Sequence, residues 1–114
     1  MHEPTDEEKQ MAMIAHLAGI AGIIGPLIVF AVKGNESTFV RYHAIQSLLF
    51  EFAYLGFVFI VIIPVSLCTF GFGSFLIFPI IPIVLGAHVW AGLKAQKGEW
   101  HGYPGVSGIG MPAE

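Results

Sequence analysis

Side chains that could exchange protons or hydrogen-bond between helices are concentrated in one apolar segment, TFVRYHAIQSLLFEFAY at positions 38–54. At about 100° per residue in a helix, most of them fall within one narrow arc. A carboxylate that faces hydrocarbon is destabilising, so this face is expected to turn toward protein rather than lipid. The residues of this polar stripe are His43, Gln46, Ser47, Glu51 and Tyr54.

Glu51 and His88 are predicted to pair. Each lies about seven residues from the end of its predicted helix that faces the same membrane surface, so at about 1.5 Å per residue both sit roughly 10 Å below that surface. His43 and Arg41 are expected nearer the headgroups. Such a pair would neutralise a charge inside the membrane. Two interpretations are open: a contact that locks two helices together, or a proton-relay or ligand site.

The composition places these residues in a membrane. The chain has 114 residues, of which 55% are hydrophobic and 11% charged, and its mean hydropathy is +0.76. A soluble domain usually carries about 25% charged residues. The net charge of −3 provides no basic surface, so no nucleic-acid partner is expected. Cys68 is the only cysteine, which excludes an intrachain disulfide.

Two uncharged runs are long enough to cross a bilayer. Residues 11–32 contain no Asp, Glu, Lys or Arg, and as a helix they would reach about 33 Å, against a hydrocarbon core of about 30 Å. Residues 52–93 contain none either and must fold back, most readily at the glycines of 68–74. The predicted fold is an all-α integral membrane bundle of three transmembrane helices. The spans are expected at about 11–32, 44–67 and 74–95.

The predicted organisation is a polar N-terminal tail at 1–10, a transmembrane domain at 11–97 and an irregular Gly/Pro-rich interfacial tail at 98–114. Thr5 and Glu8 have the spacing of a capping box, and Ser37 can cap the next helix. Trp100 and Tyr103 suit the interfacial belt.

Small residues on the first and third predicted spans allow another helix to approach closely, which favours association in lipid. Pro26 is expected to kink the first helix, and Pro64, Pro79 and Pro82 are expected to bend the other two. The predicted helix-packing residues are Ala18, Gly22, Gly25, Ala87 and Ala91.

Three spans would put the two ends of the chain on opposite sides of the membrane. Lys9 would then stand alone on one side, and the other four basic residues would share the opposite one. By the positive-inside rule the N-terminus is expected outside and the C-terminus in the cytoplasm.

Other chemistries find little support. The five histidines, at 2, 16, 43, 88 and 101, lack metal-ligand spacing, and no metal site is predicted. His16 and His88 would differ in depth by about 13 Å, too far apart for two haem ligands. No cofactor is predicted; one histidine could ligate a chlorophyll-type pigment, but nothing in the sequence requires it. The only aspartate is Asp6, so an Asp-supported triad is excluded and no enzyme is expected.

Several short pieces of the chain resemble a widespread family of small bacterial membrane proteins catalogued as a domain of unknown function. That family is distantly similar to the twenty-kilodalton membrane subunit of the chloroplast inner-envelope import translocon. The resemblance implies a compact helical bundle in the bacterial inner membrane. Members usually carry Gln where Glu51 stands and Pro where Thr38 stands. The matching pieces, between about 11 and 104, are Ala-His-Leu around His16, Gly25-Pro26-Leu27, Glu36-Ser37, Phe39-Val40, His43-Ala44 with Gln46, Lys94-Ala95, Gly98-Glu99 and Tyr103-Pro104.

Two classes of function remain open. In the first, the chain is a non-catalytic packing or accessory subunit of a larger membrane complex, with lipid and other transmembrane subunits, or copies of itself, as partners. In the second, it oligomerises into a translocation path for protein or small solutes, which the polar stripe lines. Three helices cannot enclose a pore, so the second class requires oligomerisation or a partner protein.

Overall fold

A computed structural model describes residues 3–103, 106 and 108–111, and these residues form helices but no strand. The predicted all-α class is confirmed. Parts of both predicted tails, including His2 and Pro104, lie outside the described residues. The four helices are α1, Asp6–Ala18; α2, Ile24–Lys33; α3, Thr38–Cys68; and α4, Phe72–Gln96.

Both predicted helix caps are confirmed. Thr5 Oγ1 accepts a hydrogen bond from the N–H of Glu8 at 3.1 Å, and Glu8 Oε1 accepts one from the N–H of Thr5 at 3.1 Å. Helix α1 therefore begins at Asp6, inside the predicted polar tail. Ser37 Oγ accepts from the N–H of Val40 at 3.2 Å and starts α3. The Ser37 hydroxyl also donates to Oε2 of Glu8, which joins the starts of α1 and α3.

Helix α1 does not continue into α2. A single 3₁₀ turn, Gly19–Ala21, follows it, and the chain then reverses at Gly22, whose φ of +127° is rarely adopted by L side chains. Helix α2 packs closely on α1, since a Cβ atom on Gly25 would lie only 2.5 Å from the carbonyl oxygen of Ala18. The chain thus turns back at Gly22 instead of kinking at Pro26.

The resulting α1–α2 hairpin starts and ends at the same end of the molecule. Lys33 Nζ, at the end of α2, lies 3.8 Å from Glu7 Oε1 in the first turn of α1. The predicted span at 11–32 is therefore two short helices and not one crossing helix. Hydropathy and length could not separate these cases, because a hairpin contains the same uncharged residues as one long helix.

Two helices, α3 with 31 residues and α4 with 25, are long and apolar enough to cross a membrane. Only 11% of the most apolar window of each is buried within the chain, so neither resembles the core helix of a soluble protein. The three-span prediction is not confirmed. At about 1.5 Å per residue, α3 reaches roughly 46 Å and exceeds the hydrocarbon core.

The connection between α3 and α4 falls in the predicted break at 68–74. Phe70 and Gly71 both have positive φ, 55° and 93°, and they reverse the chain. Within α3, a π-helical turn at Val58–Ile62 precedes Pro64. Proline has no amide proton for the carbonyl four residues earlier, and a widened turn is one way a helix accommodates this loss.

Burial is concentrated at one end of this elongated molecule, which measures 53 × 23 × 23 Å. Among residues 52–87, all of them described, only Ile62 and Gly73 are buried. We call this part the apolar hairpin and the remainder the packed end. The apolar core of the packed end includes Ala12, Ala15, Phe39, Val40, Ala44, Ala91 and Ala95.

Both ends of the described chain lie at the packed end. A Cβ atom on Gly98, just after α4, would lie 2.9 Å from Cε of Lys9 in α1. The structure therefore does not show the predicted placing of the two ends on opposite sides, which depended on a crossing first span. The basic residues of the packed end are Lys9, Lys33, Arg41, Lys94 and Lys97.

Candidate functional site

The packed end encloses a cluster of polar side chains contributed by every element that meets there except α2. Helix α1 supplies one histidine, α3 the buried part of the polar stripe, α4 a second histidine, and the segment after α4 a tyrosine. Counted as whole residues, all of them are 5% exposed or less. The cluster consists of His16, His43, Gln46, Ser47, Glu51, His88 and Tyr103.

The structure brings Glu51 and His88 together, with Nε2 of the histidine 2.7 Å from Oε1 of the carboxylate. The His88 side chain is fully buried and that of Glu51 is 7% exposed. The contact is close enough for an ion pair but lacks hydrogen-bond geometry, and neither atom has another hydrogen-bond partner among the described residues. The hydroxyl of Ser47 is likewise buried without a partner there.

Four further polar contacts continue from this pair toward the surface. Nδ1 of His88 lies 3.3 Å from the Tyr103 hydroxyl, which lies 3.0 Å from Nδ1 of His16. Nε2 of His16 is hydrogen-bonded to Nδ1 of His43 at 2.8 Å. Nε2 of His43 is 2.9 Å from the carbonyl oxygen of Glu99. We call the five side chains from Glu51 to His43 the buried polar chain.

Aromatic rings pack against the side chains of the buried polar chain, hold them in place and exclude water from them. The Phe50 ring stacks on Tyr103 with a centroid distance of 4.4 Å and meets His88 edge-on at 5.0 Å. Phe39 meets His43 edge-on at 4.6 Å. Burial, and after it the charge of Glu51, raises the pKa of the Tyr103 phenol, so its hydroxyl keeps its proton at physiological pH.

Gln46 fixes the segment after α4 against α3. Its side-chain oxygen accepts from the N–H of Tyr103 at 3.0 Å, and its Nε2 donates to the carbonyls of Val106 at 2.7 Å and Ile109 at 2.9 Å. Trp100 packs on the same helix, 5.2 Å from the ring of Phe39. This part of the predicted interfacial tail is non-helical, as expected, but it forms part of the core.

The predicted helix-packing residues serve different purposes. Ala18 and Gly25 pack against each other inside the α1–α2 hairpin, whereas Gly22 forms the turn and has open space where a Cβ would be. On α4, Ala91 is buried and Ala87 half-buried.

The backbone just after α1 approaches the polar cluster closely at Gly19, which was not among the predicted helix-packing residues. A Cβ there would lie 2.5 Å from Cε1 of His88 and 2.8 Å from the hydroxyl oxygen of Ser47. No larger residue fits between α1 and these side chains without displacing them.

A pocket of about 330 Å³ adjoins Glu51 where the α1–α2 hairpin ends. Its wall is formed by the turn residues Gly19 to Ile23 and by apolar side chains of α3 and α4, including Leu55 and Val84. Tyr54, the half-buried member of the polar stripe, lines it as well. Glu51 is its only acidic lining residue. The pocket therefore exposes one end of the buried polar chain.

Sequence reasoning missed two members of the cluster. His16 was expected about 13 Å from the depth of His88, but both contact the Tyr103 hydroxyl, because the hairpin returns α1 to the packed end. Tyr103 was assigned to the interfacial belt, although it is only 5% exposed. The available signal was its place in the Tyr103-Pro104 piece of the resemblance. The guanidinium carbon of Arg41 lies over the Phe30 ring, 5.9 Å from its centroid.

The part of the chain that the structure describes holds no group of three or more His, Cys, Asp or Glu side chains arranged for a metal ion. Residues 7–109 match the sequence model of MamF/MmsF, described as the magnetosome magnetite crystal formation protein family. The comparisons give no support for the similarity to the chloroplast translocon subunit. No curated protein and no solved structure matches the chain.

Proposed function

Since the chain belongs to the magnetosome magnetite crystal formation protein family, we propose that it is a non-catalytic accessory protein of the magnetosome membrane, where it supports crystal formation by packing with other transmembrane helices. The family is involved in magnetite crystal formation. The accessory role rests on the apolar hairpin, whose surface has no covering within the chain.

The apolar hairpin exposes large side chains on both of its helices. Phe59 and Ile60 of α3 are 65% and 75% exposed, and Phe75 and Phe78 of α4 are both 62% exposed. Surfaces of this kind belong in lipid or against other membrane helices. The polar stripe, in contrast, is mostly buried by contacts inside the chain, which favours the accessory role over a translocation path that it would line.

Two glycines in the hairpin favour contact with another protein. Gly56 in α3 and Gly86 in α4 lie inside helices, and a Cβ at either would meet nothing within 4 Å. A glycine inside a helix is less stable than alanine by roughly 1 kcal/mol. Neither glycine is required by a contact in this chain, so both suit close approach by a helix of another subunit.

Membrane orientation follows from the positions of the charges. With two crossings, all five Lys and Arg residues stand at the packed end, which the positive-inside rule assigns to the cytoplasm. The α3–α4 turn then faces the magnetosome lumen. Residues 69–74 of this turn, TFGFGS, carry no charge. The proposed action is therefore through membrane partners and not through an acidic surface on the mineral.

The proposal is tested in magnetosome-forming cells that express the tagged protein at its native level. Gly56→Leu and Gly86→Leu should preserve thermal stability in mild detergent, reduce co-purification with other magnetosome membrane proteins in native mass spectrometry, and change crystal size in electron micrographs. Ile60→Leu, at an exposed position, is the matched control and should change none of these. Unaltered crystals in cells lacking the chain, together with a monomeric purified protein, would overturn the accessory role.

A further inference from the structure

We propose that the buried polar chain is a proton relay: it moves a proton between Glu51 at the pocket and His43 near the surface of the packed end. This activity goes beyond the accessory role and does not depend on it. The polar contacts that link the five side chains measure between 2.7 and 3.3 Å. The relay ends at the backbone carbonyl of Glu99. Because this carbonyl can only accept a hydrogen bond, it determines which atom of each side chain in the relay carries the proton.

The donor-to-acceptor direction of the hydrogen bonds along the buried polar chain is set by the carbonyl of Glu99. A carbonyl oxygen only accepts, so Nε2 of His43 must carry its proton. Nδ1 of a neutral His43 is then an acceptor, and Nε2 of His16 must donate to it. Nδ1 of His16 in turn accepts from the Tyr103 hydroxyl. The phenol oxygen is left to accept from Nδ1–H of His88, which also faces the backbone carbonyl of His16.

One more proton must lie between His88 and Glu51. With the proton of His88 on Nδ1, its bare Nε2 lies 2.7 Å from Oε1 of Glu51, and two bare acceptors would repel each other at this distance. Either Glu51 is a carboxylic acid beside a neutral His88, or it is a carboxylate beside an imidazolium. Both states are neutral overall, as a nearly fully buried site requires.

The transfer conserves every proton. Glu51 gives its proton to Nε2 of His88, and Nδ1 of His88 gives its own to the Tyr103 oxygen. The phenol proton passes to Nδ1 of His16, and the proton on Nε2 of His16 passes to Nδ1 of His43. Glu51 ends as a carboxylate and His43 as an imidazolium that keeps its contact with Glu99. No oxidant, metal or further reactant takes part.

His43 is the member placed to exchange with water. It lies in the second turn of α3, and the segment after α4 covers it with Glu99 and His101. The Glu99 side chain is 47% exposed and lies 3.6 Å from Lys94 Nζ, so the covering segment reaches the surface. Water that replaces the Glu99 carbonyl can take a proton from Nε2 of His43 or return one.

The other end of the relay lies at the pocket beside Glu51, and no further acidic, basic or histidine side chain continues it. Beyond Glu51, residues 52–87 contain no Asp, Glu, Lys, Arg or His, so one chain loads and unloads Glu51 from the packed end and does not carry protons across the membrane.

The test uses full-length protein with ¹⁵N-labelled histidine in lipid nanodiscs. Nitrogen chemical shifts should show His16 and His43 with their proton on Nε2, and His88 with its proton on Nδ1 or on both nitrogens. This pattern needs no variant. A neutral His16 and a neutral His43 with their protons on unlike nitrogens, one on Nδ1 and the other on Nε2, would give the contact between them two donors or two acceptors and would overturn the relay.

The second measurement is the exchange of the His88 N–H for deuterium. Tyr103→Phe removes only the hydroxyl and keeps both the ring stacked on Phe50 and the N–H bound by Gln46. It should slow the exchange by at least an order of magnitude. Tyr54→Phe removes a hydroxyl beside the same pocket but outside the relay and should leave the rate unchanged. Equal rates in wild type and Tyr103→Phe would show that protons reach His88 by another route.

Discussion

The side-chain oxygen of Gln46 accepts a 3.0 Å hydrogen bond from the backbone N–H of Tyr103, residues that are 57 positions apart in sequence. The same amide donates to the carbonyls of Val106 and Ile109, so one side chain of α3 satisfies three backbone groups that follow α4. This contact places the Tyr103 ring in the polar cluster.

Gln46→Leu should release the segment after α4. Three backbone groups would lose their partner, and of these the buried N–H of Tyr103, left unsatisfied, would typically cost about 1–3 kcal/mol. We expect a lower melting temperature in detergent and faster proteolysis after residue 96. Gln96→Leu, at an exposed position at the end of α4, is the control and should match wild type. Unchanged proteolysis in Gln46→Leu would contradict the anchoring role of this amide.

Because of the Glu51–His88 contact, we expect His88→Ala and Glu51→Gln to lower stability by unequal amounts. His88→Ala leaves the Glu51 carboxyl group without its partner in a buried site, and removal of one partner of a buried ion pair typically costs about 3–5 kcal/mol. Glu51→Gln should be much milder, because its amide N–H can donate to Nε2 of His88 as a protonated carboxyl would. Thermal unfolding in mild detergent measures both. Equal stability of wild type and His88→Ala would show that the two side chains do not support each other.

The arc of the polar stripe, the caps at Thr5 and Ser37, and the break before α4 could be predicted from the sequence because each depends on local spacing. A helical arc brings His43, Ser47 and Glu51 to one face whatever surrounds it, and a capping box lies within four residues.

The reversal at Gly22 could not be predicted in the same way. A glycine in an apolar run fits close helix packing and a positive-φ turn equally well, and only the packing of α2 back onto α1 decides between them. The inward position of Tyr103 could not be predicted for a similar reason. It depends on Gln46, a partner distant in sequence, whereas an aromatic residue just past an apolar helix is typical of the interface.

Cys68 tests the orientation of the apolar hairpin. It is exposed just before the α3–α4 turn and is the only cysteine in the chain. With two crossings, a membrane-impermeant maleimide should label it from the side opposite to the packed end. In a Cys68→Ser background, Glu3→Cys should be labelled from the other side, because residue 3 precedes α1. Labelling of both positions from one side would contradict the two-crossing arrangement.

The α1–α2 hairpin makes the most direct prediction about the first forty residues. Lys33 Nζ and Glu7 Oε1, the tips of two long side chains, are 3.8 Å apart, so cysteines at positions 7 and 33 in a Cys68→Ser background should be joined by a short flexible bis-maleimide in membranes. If residues 11–32 crossed the bilayer as one helix, these positions would be separated by about 30 Å of hydrocarbon and could not be joined. A cysteine pair at positions 7 and 20 is the negative control, because Ile20 lies at the opposite end of the same helical segment. Gels should show an intramolecular shift for the 7–33 pair alone. If that pair shows no shift although both thiols react with maleimide, residues 11–32 cross the bilayer as a single helix.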